Sequence, residues 1–221
     1  MESPSGSVTR ASALLAVTLF FATVFPPRVH AQEIRAVGGH LGRTNSRQVL
    51  AALETDKRRG LVLGAFVEVA TPLDWLGVIA EASYVQRGGR VSLEMVGLEG
   101  QETVDTRVDY ISFPLVLAAR LFRNPVGIYA YAGPAVDYYL NVQGEPIVAD
   151  LYSLEKTTVL TGVVGGGVEL LVAQRWSLRL EARLMEGLTA AFEGRLGEIR
   201  HRSFELFIRA GVRPRSTRPP R

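Results

Sequence analysis

Eight strand-like segments lie between Ile34 and Arg213, and the connections between them alternate long and short without exception. Thr44–Arg59, Gly88–Thr106, Val142–Lys156 and Leu188–His201 are long, whereas Pro72–Leu76, Arg123–Pro125 and Gln174–Arg175 are short. An up-and-down meander sorts its connections this way when odd ones lie at one end of the sheet and even ones at the other. Membrane barrels do so, with long loops at one mouth, tight turns at the other and an even number of strands. A soluble meander has no reason to separate its loops by length. The order therefore predicts an all-β chain: an eight-stranded antiparallel up-and-down transmembrane β-barrel.

The segments themselves carry a period of two. From Ser177 to Leu184 the alternation is strict: Leu178, Leu180, Ala182 and Leu184 point one way, and Ser177, Arg179, Glu181 and Arg183 the other. Such a period is a strand between two unlike environments. In a membrane barrel the leucines meet lipid and the charges meet the lumen. The other segments expected are Ile34–Arg43, Gly60–Thr71, Gly77–Arg87, Arg107–Phe122, Val126–Asn141, Thr157–Ala173 and Arg202–Arg213. Val126–Asn141 is apolar on both faces, and we assign Asp137 inward. Parity then gives an interior polar network of Glu68, Glu81, Asp137, Glu169, Glu181 and Glu205 with Arg120, Arg179, Arg183 and Arg209. An eight-stranded barrel has room inside for side chains and little else. Acids and bases confined there pair, because an unpaired buried charge costs on the order of several kcal/mol. We expect a polar plug holding the barrel together in preference to an ion or proton pathway. Gly162, Gly165, Gly166 and Gly167 let the strand curve and let opposing side chains reach inward.

Aromatic residues fall near the segment ends. Trp75, Trp176 and Phe122 sit beside short turns; Tyr84, Tyr110, Tyr138 and Phe204 lie toward the long connections, as does Tyr139. Two rings of amphipathic aromatics around an aliphatic band form the girdle pattern of a membrane barrel. At the N-terminus, Ala11–Phe25 is an uncharged run preceded by Arg10 and followed by Val29-x-Ala31, a small-residue cleavage pattern. The run is about 15 residues, short of the roughly 20 that a spanning helix needs. We therefore expect a signal peptide over residues 1–31, with an uncleaved anchor as the alternative, and the barrel over 32–213. Residues 214–221 form an Arg/Pro tail with nothing apolar to bury.

Composition removes several function classes. With no cysteine there is no disulfide framework, thiolate zinc site or cysteine nucleophile, and three histidines argue against a His-built metal centre. We expect no cofactor and no metal. A net charge of +3, partly in the tail, gives no nucleic-acid surface.

Several short motifs recur in order: Gly-x-x-x-Gly-x-x-x-Glu at Gly60–Glu68, Tyr84-Val-Gln-Arg-Gly88, Tyr110-Ile-Ser-Phe-Pro-Leu115, Tyr129-Ala-Tyr-Ala-Gly-Pro134, Gly162-Val-Val-Gly-Gly-Gly-Val-Glu169 and Arg179-Leu-Glu-Ala-Arg183. On these the chain resembles the outer-membrane protein β-barrel family, in its PorT-like group of eight-stranded barrels, over Gly38 to Val212. The resemblance implies the outer membrane of a Gram-negative-type envelope and no settled activity. The chain departs from such barrels at its end, where an Arg/Pro tail follows the last strand. His201-x-Ser203 resembles the His-x-Ser pair of outer-membrane lipid A deacylases, and residues two apart on a strand share a face. No supporting acid follows at a comparable place, and the arginines near Glu181 and Glu205 keep those carboxylates ionised, unsuited to an acid role. The expectation is a non-enzymatic barrel with a structural or surface-recognition role through four long extracellular loops. Its partners would be outer-membrane lipid, the barrel-assembly machinery during biogenesis and an extracellular or envelope protein. The alternatives are an exported soluble lipocalin-like barrel that binds a small apolar ligand, with Leu178, Leu180 and Leu184 inside, and an outer-membrane lipid-modifying hydrolase.

Overall fold

A computed structural model describes residues 34–50, 53–54, 56–94, 101–143, 158–172, 175–189, 192–194 and 197–214. The expected signal peptide and the tail from Arg215 onward lie outside these residues. Ten strands follow one another: β1 (Ile34–Leu50), β2 (Leu53–Glu54), β3 (Asp56–Ala70), β4 (Leu76–Glu94), β5 (Gln101–Arg123), β6 (Val126–Gln143), β7 (Thr158–Val172), β8 (Trp176–Gly187), β9 (Phe192–Gly194) and β10 (Gly197–Val212). Eight are the staves of a closed antiparallel barrel in the order β1-β3-β4-β5-β6-β7-β8-β10, and β10 returns to β1 to seal it. The seam runs unbroken from Val37↔Val212 to Leu50↔Ile199, so neither edge strand is left open. The two remaining strands are short hairpin partners, β2 on the end of β1 and β9 on the start of β10.

The alternation in the sequence is the alternation of the wall. On β8, Leu178, Leu180 and Leu184 are 46%, 54% and 52% exposed, while Arg179, Glu181 and Arg183 are each 1% exposed. The same rows hold on β10, where Phe204, Leu206 and Ile208 face out and Glu205, Phe207 and Arg209 face in. Leu41, Leu63, Leu117, Leu121, Ile128, Val164 and Val168 complete an apolar outer belt. A soluble lipocalin-like barrel needs the β8 leucines inside, and they are outside.

Three of the long connections differ from expectation. Strand pairing continues through Leu50↔Leu53, Glu94↔Gln101 and Gly194↔Gly197, so these connections are mostly tall hairpins and not irregular loops. Crossing a membrane takes a tilted strand of about 9–11 residues; β4 has 19 residues and β5 has 23. The polar residues that mark 44–59 and 88–106 as loops in sequence are still compatible with extended backbone. The fourth long connection lies largely outside the described residues. Gly88, at φ +147°, sits where the β4–β5 hairpin leaves the barrel; its N–H donates to Ser46 Oγ at 2.9 Å, and a side chain there would strike the carbonyl of Thr106.

Candidate functional site

The lumen is the most heavily charged buried region of the described residues, and strand parity places every group in it except Arg213. At the short-turn end, Glu68 on β3, Arg120 on β5, Glu169 on β7 and Arg179 on β8 converge. Arg179 Nη2 lies 2.8 Å from Glu68 Oε2 and 3.1 Å from Glu169 Oε1. Arg120 closes the square, with Nη2 2.5 Å from Glu68 Oε1 and Nη1 3.3 Å from Glu169 Oε2. Arg213, just past β10, adds a 2.9 Å contact to Glu169 from below.

A second chain of pairs climbs from mid-barrel toward the hairpins. Arg209 binds Glu181 through Nε at 2.8 Å and Glu81 through Nη2 at 2.6 Å. Arg183 binds Glu81 through Nη1 at 2.7 Å and Glu205 through Nε at 2.6 Å. Arg87 then spans Glu205 at 3.7 Å and Asp137 at 2.5 Å, and Asp137 also accepts from Thr161 Oγ1 at 2.6 Å. Aromatic rings fill the gaps between charges. Arg209 lies 4.3 Å from the Phe66 centroid, Arg183 4.8 Å from that of Phe207, and Arg179 5.5 Å from that of Tyr129. Desolvated guanidiniums over aromatic faces are stabilised by the ring quadrupole. Tyr131 Oη donates to Glu181 at 3.2 Å.

Glycines on β7 make the room. A side-chain carbon at Gly165 would meet Tyr131 and the Cβ of Arg183 at 2.7 Å, and one at Gly167 would meet Glu181 at 2.9 Å.

All ten residues of the expected polar network lie along these chains. Arg87 and the rings Phe66, Tyr129, Tyr131 and Phe207 join them from outside the expected set. The signal was present: Arg87 continues the inward row of Glu81 and Ser83, and Phe207 stands between Glu205 and Arg209 in one row. Arg213 was beyond parity, since it follows the last strand.

Of the girdle residues, Trp75 and Trp176 are 53% and 55% exposed beside their short turns, whereas Phe122 is corrected: it shares the inward parity of Arg120, stands opposite Gly127 and lies 5.4 Å from the Arg213 guanidinium at the mouth of the lumen. Phe204 is exposed at the hairpin end, where Tyr84 and Tyr138 are half-buried. Tyr110 is a correction. Its position along β5 suits a girdle, but its parity is that of Ser112, and it is buried in the lumen at 1% exposure. There its hydroxyl lies 3.0 Å from His201 Nε2. His201 and Ser203 are 5% and 2% exposed and point inward with Tyr110. Neither is on the outer face, where an acyl chain of a membrane lipid would lie.

The profile of a family described as "Outer membrane protein beta-barrel domain" matches residues 12–197. No curated protein matches the chain in sequence. Among solved structures, the outer membrane protein OprG from Pseudomonas aeruginosa aligns at a TM-score of 0.56 and 11% identity, over 85% of this chain and 98% of that one. Neisserial surface protein A aligns at 0.51 and 12%, over 81% and 99%. AlkL, an outer membrane protein determined in lipid bilayers, aligns at 0.50 and 12%, over 89% and 98%. At such identities these likenesses concern the fold.

Proposed function

From the premise that the chain belongs to the outer membrane protein β-barrel domain family, and is thus an outer-membrane β-barrel protein, we propose that its lumen is a solid strut and that its biological work is done by its outer surfaces. The observation that carries this reading is the pair of ion-pair chains from Arg213 to Arg87, packed with Phe66, Phe207, Tyr129 and Tyr131. An ion crossing the barrel would have to separate guanidinium and carboxylate groups that hold one another at close range in a low dielectric. A filled barrel gives rigidity, and it carries tall hairpins far from the membrane. Hairpins on a rigid base suit recognition of an extracellular or envelope protein, with the hairpin end outward and the termini inward. No catalytic role is part of this reading.

Planar-bilayer recording of the purified chain tests it. The unaltered protein gives no steady conductance, whereas replacing Arg183 and Arg209 by alanine opens a measurable leak if the barrel still inserts. Steady, ion-selective conductance by the unaltered chain would overturn the strut.

A further inference from the structure

The outward rows of three neighbouring strands change character along a staggered front, one outward position later on β3 and two later on β10 than on β1. On β1 the row passes from Leu41 to Arg43, Asn45 and Arg47; on β3 from Leu63 and Leu61 to Arg59 and Lys57; on β10 from Leu206 and Phe204 to Arg202 and Arg200. The registers bring these changes together: Arg43 stands opposite Leu61 and Leu206, Asn45 opposite Arg59 and Phe204, and Arg47 opposite Arg202. Arg43, Lys57 and Arg59 are exposed, and Arg47, Arg200 and Arg202, which have contacts of their own, extend the same basic field. Arg43 and Arg59 are diagonal neighbours, about 7–8 Å apart at the backbone, close enough for two long side chains to share one anion. Exposed Asp56 and Glu186 lie beside this field, the latter paired with Arg202 at 2.5 Å, and Glu54, opposite Val49, and Glu198, opposite Glu193, follow further along the same strands. The rim is different across the barrel: Arg107 on β5 is matched within its own strand by Asp109 at 2.8 Å.

Height selects the anion. The basic residues begin one outward position beyond the last leucine or phenylalanine, a step of about 6–7 Å along the strand. On a membrane barrel, such a step leads from the apolar band toward the headgroup region. Guanidiniums bind phosphate oxygens in a bidentate fork, charge-assisted in a way that a neutral hydroxyl headgroup cannot match. We propose that the outer face of β10, β1 and β3 on the hairpin side binds the phosphate groups of a phosphorylated outer-leaflet lipid. The site uses Arg43, Lys57 and Arg59 as its centre and the aliphatic rows beneath as its acyl-chain seat. It rests on the outward orientation of the hairpins only for which leaflet supplies the lipid.

Binding is measured on the full chain in zwitterionic detergent micelles. The probes are a phosphorylated glycolipid, the same lipid after enzymatic removal of its phosphates, and inorganic phosphate. The phosphorylated lipid should bind at least tenfold more tightly than the other two, and its binding should weaken with salt. The triple variant R43Q/K57Q/R59Q, exposed and outside the lumen, should lose at least tenfold in affinity while keeping its heat-modifiable gel shift. R123Q at the opposite rim should lose nothing. Equal binding of the dephosphorylated lipid, unchanged binding by the triple variant, or inorganic phosphate binding as tightly as the lipid would each overturn the proposal. A micelle has no sidedness, so failure there strikes the patch alone. Reversed labelling of the hairpins in cells strikes the orientation and the leaflet assigned here.

Discussion

At Arg183 three contacts meet in the middle of the lumen: Glu81 at 2.7 Å, Glu205 at 2.6 Å and the face of Phe207 at 4.8 Å. Removing one member of such a set leaves partners buried and unmatched, which costs about 3–5 kcal/mol. Arg183→Met should lower unfolding stability by that amount in lipid vesicles titrated with urea. Glu205→Gln should cost less, because Arg183 retains Glu81, and the two changes together should cost less than their sum. Additive losses would show that the pair is not coupled. Gly165 presents the same lumen from the other side. With Tyr131 and Arg183 at 2.7 Å from where a Cβ would stand, Gly165→Val should abolish the heat-modifiable folded band. Gly162→Ala, whose nearest neighbour is a Leu188 methyl at 3.6 Å, should leave the band intact. Identity and parity of these charged residues were readable from the chain. Which acid meets which arginine was not, because Arg183 and Glu81 come from strands on different sides of the barrel, 102 positions apart.

β8 shows how far one element can be read. Its pattern alternates buried and exposed over its whole length, and each leucine of that row faces out. Leu180, opposite Val168 and Ile208 in its neighbours, lies well inside the apolar belt. Leu180→Lys should therefore cost about 2–4 kcal/mol in bilayers, as a cation placed on the lipid face near midplane does. The same change at Leu188, beyond the end of β8, should cost little; equal costs would place the belt elsewhere. Strand ends were less legible than strand faces. β4 runs on to Glu94 and β5 starts as early as Gln101 because ladder pairing continues beyond the apolar belt, and extended backbone there needs no alternation of apolar and polar residues. Tyr110 failed as a girdle residue for a related reason: distance along a strand says how high a residue sits, and only parity says on which side of the wall.

For the whole molecule, the outermost residues of the two seam strands, Ile34 on β1 and Val212 on β10, lie at the short-turn end with Trp75 and Trp176. Asp56, exposed at the start of β3, marks the hairpin end, and Leu73, exposed in the turn before β4, marks the other. If the hairpins face outward, a single cysteine introduced at Asp56 should react with a membrane-impermeant maleimide in intact cells. One at Leu73 should react only after the envelope is opened. The chain has no cysteine of its own, so the labelling has no background, and the converse pattern would reverse the orientation. By itself the sequence determined the class of fold, the inward and outward rows and the kinds of group in the lumen. A period of two, sorted connections and opposite environments on two faces are local properties, written residue by residue. Tertiary structure alone decided the pairing of Arg87 with Asp137, the closure of β10 on β1 and the stagger with which Arg43, Arg59 and Arg202 follow one another across three strands. Those depend on register between strands distant in sequence, which is settled only when all eight staves close on one another.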